Sequence, residues 1–216
     1  MNKEKKIIGI FVIIAVILVA GFIILFQFSS PKIYGNKGGS SGEVSRYVSR
    51  DIPMTDSNGS TRRLMDLKGK VWLISHVFTR CPGQCAGVCV VLDEIRKDVN
   101  DKENLQFVSV TLDPNHDTPD HLKAFSNKHG FVTDDWWFLT GESSELNRYM
   151  MEVFSLSAQE KKESEKVSED DIFAHKPMVA LINHELKIEG WYNPFDKRSS
   201  EALREKLLFA LNEAKS

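Results

Sequence analysis

Residues 71–89 read VWLISHVFTRCPGQCAGVC. The opening run, residues 71–78, is apolar and rich in β-branched and aromatic side chains, a pattern that predicts a buried strand. Cys81 and Cys85 follow, and over Ala86–Val99 the apolar residues recur at helical spacing. The stretch therefore predicts a buried strand, a turn that carries thiols, and a helix that begins near the second cysteine.

The rest of the carboxyl-terminal part alternates in the same way between strand and helix patterns. Thr118 followed by proline is typical of a helix start, and Asn183–His184–Glu185 is typical of a hairpin turn. This alternation predicts an α/β fold in which helices cover a central sheet. Further strands are predicted at Leu105–Leu112, Trp136–Leu139, Met178–Ile182 and Ile188–Tyr192, and further helices at Thr118–His129, Ser143–Phe154 and Ser199–Ala214.

One segment, Ser157–Asp171, fits neither pattern. Its sequence, SAQEKKESEKVSEDD, is polar and strongly charged. Such a composition predicts a solvated insertion or an extension of the preceding helix. A docking loop for a partner is the functional alternative.

The amino-terminal part carries a long apolar run. From Ile7 to Phe26 no residue is charged, and a helix of about 20 residues at ~1.5 Å per residue spans a bilayer core of roughly 30 Å. We therefore predict a transmembrane anchor at residues 7–28, with a cleaved signal peptide as the alternative. The lysines before the run predict that residues 1–6 lie in the cytosol and that the chain after the anchor lies outside it.

After the anchor, residues 29–48 are rich in serine and glycine, which is typical of a flexible linker. Residues 49–216 are long enough for one domain, and a single-pass anchor would hold it on the extracytoplasmic (periplasmic) side of the cell membrane. The chain of 216 residues has a net charge of −2 and no basic cluster interleaved with aromatic residues. Nucleic acid is therefore not an expected partner.

The three cysteines lie four residues apart, at positions 81, 85 and 89. A helix amino terminus carries partial positive charge and unpaired N–H groups, which favour a thiolate. Side chains four residues apart on a helix are about 5–6 Å apart, so Cys81 and Cys85 can reach one metal ion or form a disulfide bond. The spacing leaves a metal site, a redox-active pair and a structural disulfide open. Cys89 is interpreted as a buried apolar side chain, with a third ligand or a resolving thiol as alternatives.

Four segments together resemble the Sco/SenC family: VWLISHVFTRCPGQC, VSVTLDPNHDTPDHLKAF, WWFLTG and HKPMVALIN. Members of this family are membrane-anchored copper proteins with a thioredoxin-like fold that help to assemble the binuclear copper centre of cytochrome c oxidase. The resemblance covers roughly residues 50–212. It implies a thioredoxin-like fold with a central mixed sheet flanked by helices.

The resemblance also implies a copper site. Cys81 and Cys85 match the family's copper-binding cysteines, His175 matches its copper-binding histidine, and Asp113 matches an aspartate near the metal. Two thiolates and one imidazole suit Cu(I) and can also hold Cu(II). The implied function is that of a copper metallochaperone. Its implied partner is the copper-acceptor subunit of cytochrome c oxidase or another copper chaperone.

Two positions depart from the family pattern. Ala86 stands where many members have proline, and Pro177 stands where thiol–disulfide oxidoreductases of this fold carry a cis-proline beside the active cysteines. Pro177 therefore favours an alternative function, an extracytoplasmic thiol–disulfide oxidoreductase in which Cys81 attacks and Cys85 resolves. A peroxidase that pairs a low-pKa cysteine with Arg80 is a third alternative.

The chain has six histidines, of which only His175 is a predicted ligand. His76 lies in the predicted buried strand and is expected in the core. His116, His121 and His129 are expected to face solvent, and the remaining histidine falls in the predicted hairpin turn.

Overall fold

The computed structural model describes residues 47–81, 84–166, 168–169 and 172–215, with Gln84 and His175 described by their backbone. Outside these residues lie the predicted cytosolic terminus (1–6), the predicted anchor (7–28) and all but the end of the predicted linker (29–48). Among the helices that are described, none is both long and apolar enough to cross a membrane. The anchor at residues 7–28 stays a prediction.

The described residues contain nine strands. Their bounds are β1 Met54–Asp56, β2 Thr61–Arg62, β3 Val71–Val77, β4 Leu105–Thr111, β5 Trp136–Thr140, β6 Ala158–Glu160, β7 Phe173–His175, β8 Val179–Ile182 and β9 Ile188–Tyr192. Seven of them form one sheet in the order β2-β1-β5-β4-β3-β8-β9. Strand β4 is parallel to β3 and β5, whereas β8 is antiparallel to β3 and β9. The predicted central mixed sheet is confirmed.

Strands β3 and β4 lie at the centre of the sheet, where both faces are covered, because most of their residues are apolar. Every residue of both strands is buried. Successive side chains of a strand point to opposite faces, so Leu73 packs into one apolar cluster while Trp72 and Ile74 pack into another. The sheet therefore has a hydrophobic core on each side.

Helices cover both of these cores. The described residues contain four α-helices, α1 Gln84–Val99, α2 Pro119–His129, α3 Ser143–Phe154 and α4 Lys197–Ala214. Residues of α1, α2 and α4 pack in the cluster of Leu73, and residues of α3 pack in the cluster of Trp72. Helix α2 begins as predicted, because the Thr118 side chain accepts a hydrogen bond from the His121 N–H (3.3 Å) and a proline follows.

The amino-terminal end of the domain joins the sheet earlier than predicted. Val48 is buried and its N–H donates to the Leu186 carbonyl (2.9 Å), while Tyr47 forms a β-bridge with Lys187. The hairpin β1–β2, which the sequence analysis did not predict, then pairs with the edge of β5. The last two residues of the predicted linker are therefore part of the folded domain.

The charged segment Ser157–Asp171 does not continue helix α3. Ser155 ends that helix in the left-handed region, at a φ of 53°. Strand β6 then pairs antiparallel with β7 in a two-stranded ribbon separate from the main sheet, with a turn of 3-10 helix at Glu163–Glu165 between them. The helix-extension alternative is wrong, because the chain leaves the helical conformation at Ser155.

Candidate functional site

The first feature of the site is the thiol turn, defined by Phe78–Cys81 after strand β3 and by Cys85 in the first turn of helix α1. The backbone N–H of Cys85 donates to the Cys81 sulfur at 3.4 Å, so this sulfur caps the first turn of the helix. Cys81 is half-buried and Cys85 is fully buried. The structure thus brings together the two cysteines that the sequence analysis singled out, and both are thiols.

The two thiols interact closely enough to affect each other's ionisation. Contact with the Cys81 thiol is the largest cause that raises the pKa of Cys85 well above its ordinary value, and burial is the second. In a buried site, a second thiolate is energetically unfavourable next to the first, because the two negative charges repel each other. A soft cation bound between the sulfurs would supply the missing positive charge, and a disulfide bond would remove both charges.

A buried carboxylate, which the sequence analysis missed, fixes the thiol turn from behind. Asp117 is fully buried and accepts hydrogen bonds from the Thr79 N–H (3.2 Å) and the Thr111 hydroxyl (2.6 Å). It also accepts hydrogen bonds from the Thr79 hydroxyl and from Nδ1 of His116. Thr79 lies two residues before Cys81, so Asp117 ties the turn to the end of strand β4. The sequence signal that could have identified Asp117 is the Asp-Pro-Asn-His-Asp motif, in which the sequence analysis assigned a role only to the first aspartate.

That first aspartate, Asp113, supports the turn through its neighbour. Its Oδ2 pairs with Nη2 of Arg80 at 2.6 Å, and the guanidinium lies over the Phe78 ring at 5.7 Å from its centre. Asp113 therefore contacts the residue that directly precedes Cys81. Arg80, the residue that the peroxidase alternative requires, is engaged in this ion pair.

A small aromatic cluster joins the thiol turn to the ribbon. Cys85 is buried with Phe78 and Leu112, and partly buried side chains of the ribbon segment, including Phe173, pack against them. The rings of Phe78 and Phe173 meet edge to face, with centres 5.3 Å apart and planes at 87°. The ribbon is thereby seated on the turn that carries the cysteines.

His175, the predicted third ligand, ends strand β7 of this ribbon. Its backbone pairs with that of Ala158, and the Ala158 side chain packs against the cluster that contains both cysteines. The imidazole of His175 lies outside the part of the chain that the structure describes. Among the side chains that are described, no three His, Cys, Asp or Glu residues lie close enough to hold a metal ion.

Pro177 follows two residues later and is half-buried. The Lys176–Pro177 peptide bond is trans, as are the other peptide bonds of the described residues. The sequence analysis compared Pro177 with the cis-proline of thiol–disulfide oxidoreductases. That cis peptide bond is not present at Pro177.

The third cysteine lies apart from the turn, inside the core. Cys89 is fully buried among apolar side chains of α1, and burial raises its pKa to about 12, while a hydrogen bond with Ser109 acts in the opposite direction. This supports its interpretation as a buried apolar side chain. His76 is also in the core, as predicted, with Nε2 3.2 Å from the Leu156 carbonyl oxygen.

Comparison with known proteins places this architecture in a family. A family model described as SCO1/SenC matches residues 44–210. The SCO1 protein homolog of Bacillus subtilis (strain 168) is 26% identical over 149 residues, which cover 68% of this chain and 74% of that protein.

Two solved structures share the fold. BsSco, described as a member of the Sco family of cytochrome c oxidase assembly proteins with a disulfide switch, has a TM-score of 0.64 at 24% identity, covering 77% of this chain and 94% of its own. Bradyrhizobium japonicum ScoI with copper bound has a TM-score of 0.58 at 22% identity, covering 74% of this chain and 98% of its own. Because the family model spans most of the sequence, the chain belongs to the SCO1/SenC family.

Proposed function

We propose that this protein is a membrane-anchored copper metallochaperone that binds copper through Cys81, Cys85 and His175 and delivers it for assembly of cytochrome c oxidase. The observation that carries the proposal is the contact between the two thiols at the start of helix α1, beside the ribbon whose strand β7 ends at His175. Copper is the cargo of such a protein, so the same ligands must bind it and release it.

The donor set favours copper over other common metal ions. Two thiolates and an imidazole are soft or borderline ligands that suit Cu(I) and tolerate Cu(II). Mg²⁺ and Ca²⁺ require oxygen ligands, and structural zinc sites are almost always four-coordinate. Bradyrhizobium japonicum ScoI, which shares the fold, binds copper, and this supports the same cargo here.

The two cysteines have different tasks in this proposal. Cys81 is half-buried and receives the Cys85 N–H, so its sulfur is the one that incoming copper and an acceptor thiolate can approach. Cys85 is fully buried and its pKa is raised by Cys81, so it releases its proton when copper binds. Proton return to Cys85 then favours copper release during ligand exchange.

The ribbon supplies the third ligand. His175 lies two residues after Phe173 in strand β7, and residues two apart in a strand share a face. Phe173 contacts Phe78, in the cluster that buries Cys85. This placement of β7 supports the proposal that His175 is the third copper ligand. Asp113, through its ion pair with Arg80, and Pro177, two residues after His175, are the proposed supporting residues.

The partner and the location follow from the anchor and the family. An anchor at residues 7–28 would keep the domain at the extracytoplasmic face of the cell membrane. BsSco belongs to the cytochrome c oxidase assembly proteins, so the proposed acceptor is the copper-acceptor subunit of that oxidase or another copper chaperone.

A thiol–disulfide oxidoreductase is the second candidate, and the same thiol contact favours it. The Cys81 thiolate would attack a partner disulfide and form a mixed disulfide, and Cys85 would then displace the partner. The partner gains two thiols while Cys81 and Cys85 become a disulfide, so two electrons and two protons pass to the partner. In this candidate His175 has no required role.

Copper titration separates the two candidates. The reduced full-length chain in a non-chelating detergent is titrated with Cu(I) against a chromogenic chelator, for wild type and for His175→Ala. His129→Ala, at an exposed position of α2, is the matched control. The proposal expects one tightly held Cu(I), at least about ten-fold weaker binding in His175→Ala, and no change in the control.

The opposite pattern would favour the oxidoreductase. Equal Cu(I) affinity in wild type and His175→Ala, together with reduction of a disulfide substrate that survives the His175→Ala change, would overturn the copper proposal.

A further inference from the structure

A pair of histidines outside the thiol turn forms a second cluster of metal-binding side chains. His116 lies in the loop between β4 and α2, and His121 lies in the first turn of α2. Their rings stack with centres 4.5 Å apart and planes at 25°. His121 is exposed, and the side chain of His116 is 37% exposed, so both rings are accessible from solvent.

The hydrogen bonds of the two rings fix which nitrogen carries the proton. Nδ1 of His121 donates to the His116 carbonyl oxygen (2.5 Å), and Nδ1 of His116 donates to Oδ1 of Asp117 (3.0 Å). Both partners are oxygen acceptors, so each Nδ1 bears the hydrogen. In the neutral rings the free lone pairs are therefore both on Nε2.

Asp117 gives this pair the arrangement of a built site. Histidines that bind metals in proteins almost always donate their other ring N–H to a carboxylate or carbonyl oxygen, which orients the ring and raises its basicity. Here His116 has the carboxylate and His121 has the carbonyl. Asp117 cannot move freely, because it is fully buried and also holds Thr79 and Thr111.

The local charge favours a cation. The segment from residue 113 to 121 contains Asp113, Asp117 and Asp120 and no lysine or arginine. One of these charges is neutralised by Arg80, which pairs with Asp113. The amino end of α2 adds roughly half a positive charge, which is less than the negative charge that remains.

We propose that His116 and His121 form a second metal site, which takes one borderline divalent cation such as Cu(II) through both Nε2 atoms. Each metal–nitrogen bond is about 2.0–2.1 Å long, so two nitrogens on one ion lie no more than about 4 Å apart. The ring centres are close enough for two nitrogens to reach one ion. Stacked rings hold their Nε2 lone pairs in nearly parallel planes, so each ring must turn out of the stack before both lone pairs meet at the metal. Water fills the remaining coordination positions. Neither metal ligand belongs to the thiol site, and the two sites share only Asp117, which also holds Thr79; the proposal therefore stands without the proposed function.

The experiment removes the two thiol ligands and measures whether Cu(II) still binds. The full-length chain with Cys81→Ser and Cys85→Ser, shown to be folded by circular dichroism, is titrated with Cu(II). Pulsed electron paramagnetic resonance counts the bound imidazoles. We expect one Cu(II) with two equatorial imidazoles, and more than about ten-fold weaker binding after His116→Ala or His121→Ala. His129→Ala, on the same helix, is the control and should change neither result.

The proposal fails if the spectrum shows fewer than two imidazoles, or if His116→Ala and His121→Ala bind Cu(II) as the parent does. Should the serine background not fold, the wild-type chain answers the question by NMR. Substoichiometric Ni²⁺ should then broaden the ring Cε1–H signals of His116 and His121 and leave that of His129 sharp. Uniform broadening of all three signals, or none, would contradict the site.

Discussion

Replacing Asp117 with alanine should destabilise the domain strongly, because this carboxylate holds the thiol turn to the end of strand β4. It accepts hydrogen bonds from Thr79, Thr111 and His116, and none of its surface is exposed. The substitution leaves the buried Thr111 hydroxyl and the Thr79 N–H without their acceptor.

The size of the effect follows from these bonds. Each buried donor that is left without its acceptor costs about 1–3 kcal/mol. With the Thr79 N–H and the Thr111 hydroxyl both left unpaired, we expect the free energy of unfolding to fall by about 2–6 kcal/mol. In a domain of this size each kcal/mol lowers Tm by about 2–4 °C, so Tm should fall by roughly 4–24 °C.

The assay is urea and thermal unfolding of the full-length chain in detergent, followed by fluorescence of its tryptophans. Asp120→Ala is the matched control, because Asp120 is exposed and only three residues away. It should change stability by no more than about 1 kcal/mol, through the helix dipole. Equal unfolding midpoints for Asp117→Ala and Asp120→Ala would refute the role assigned to Asp117.

Two further predictions concern the ribbon and the buried thiol. Phe173→Ala should weaken Cu(I) binding in a competition titration, because the ring that packs β7 against Phe78 is lost. Phe173→Leu should restore part of the affinity, and Glu160→Ala, at an exposed position, should leave the affinity unchanged. Equal affinities for Phe173→Ala and the wild type would contradict the prediction. Because contact with Cys81 and burial raise the pKa of Cys85, the folded, metal-free chain keeps a proton that the unfolded chain releases. Above about pH 8.5, Cys85 should therefore lower the stability by about 1.4 kcal/mol per pH unit, and Cys89, whose pKa burial also raises, should add a fall of similar size. In pH-dependent urea unfolding, Cys85→Ala should reduce the slope of stability against pH by the contribution of one proton. An unchanged slope would show that the pKa of Cys85 is not raised in the folded chain.

The centre of the fold could be predicted from the sequence because its signals are local. Strand β3 is a mostly apolar run, and the helix α3 prediction, Ser143–Phe154, agrees with the structure at both ends. Strand β9 was also predicted with its observed bounds. These elements have strong periodicity or a clear turn beside them.

The missed elements depend on contacts between distant residues. Strands β1 and β2 have three and two residues, Met-Thr-Asp and Thr-Arg, too few to show a period, and β1 forms against β5. The ribbon has a charged sequence, and Phe173 seats it on Phe78, 95 positions earlier in the chain. Asp117 acquires its role from Thr79, 38 residues away. The cysteines stood out because they are neighbours in sequence.

X-ray absorption of the full-length chain, reduced and loaded with less than one equivalent of Cu(I), tests the central claim most directly. We predict two sulfur scatterers and one nitrogen scatterer around copper in the wild-type chain, with the nitrogen lost in His175→Ala and both sulfurs retained. A spectrum without two sulfurs, or a nitrogen that persists unchanged in His175→Ala, would contradict the assignment of Cys81, Cys85 and His175 as the copper ligands.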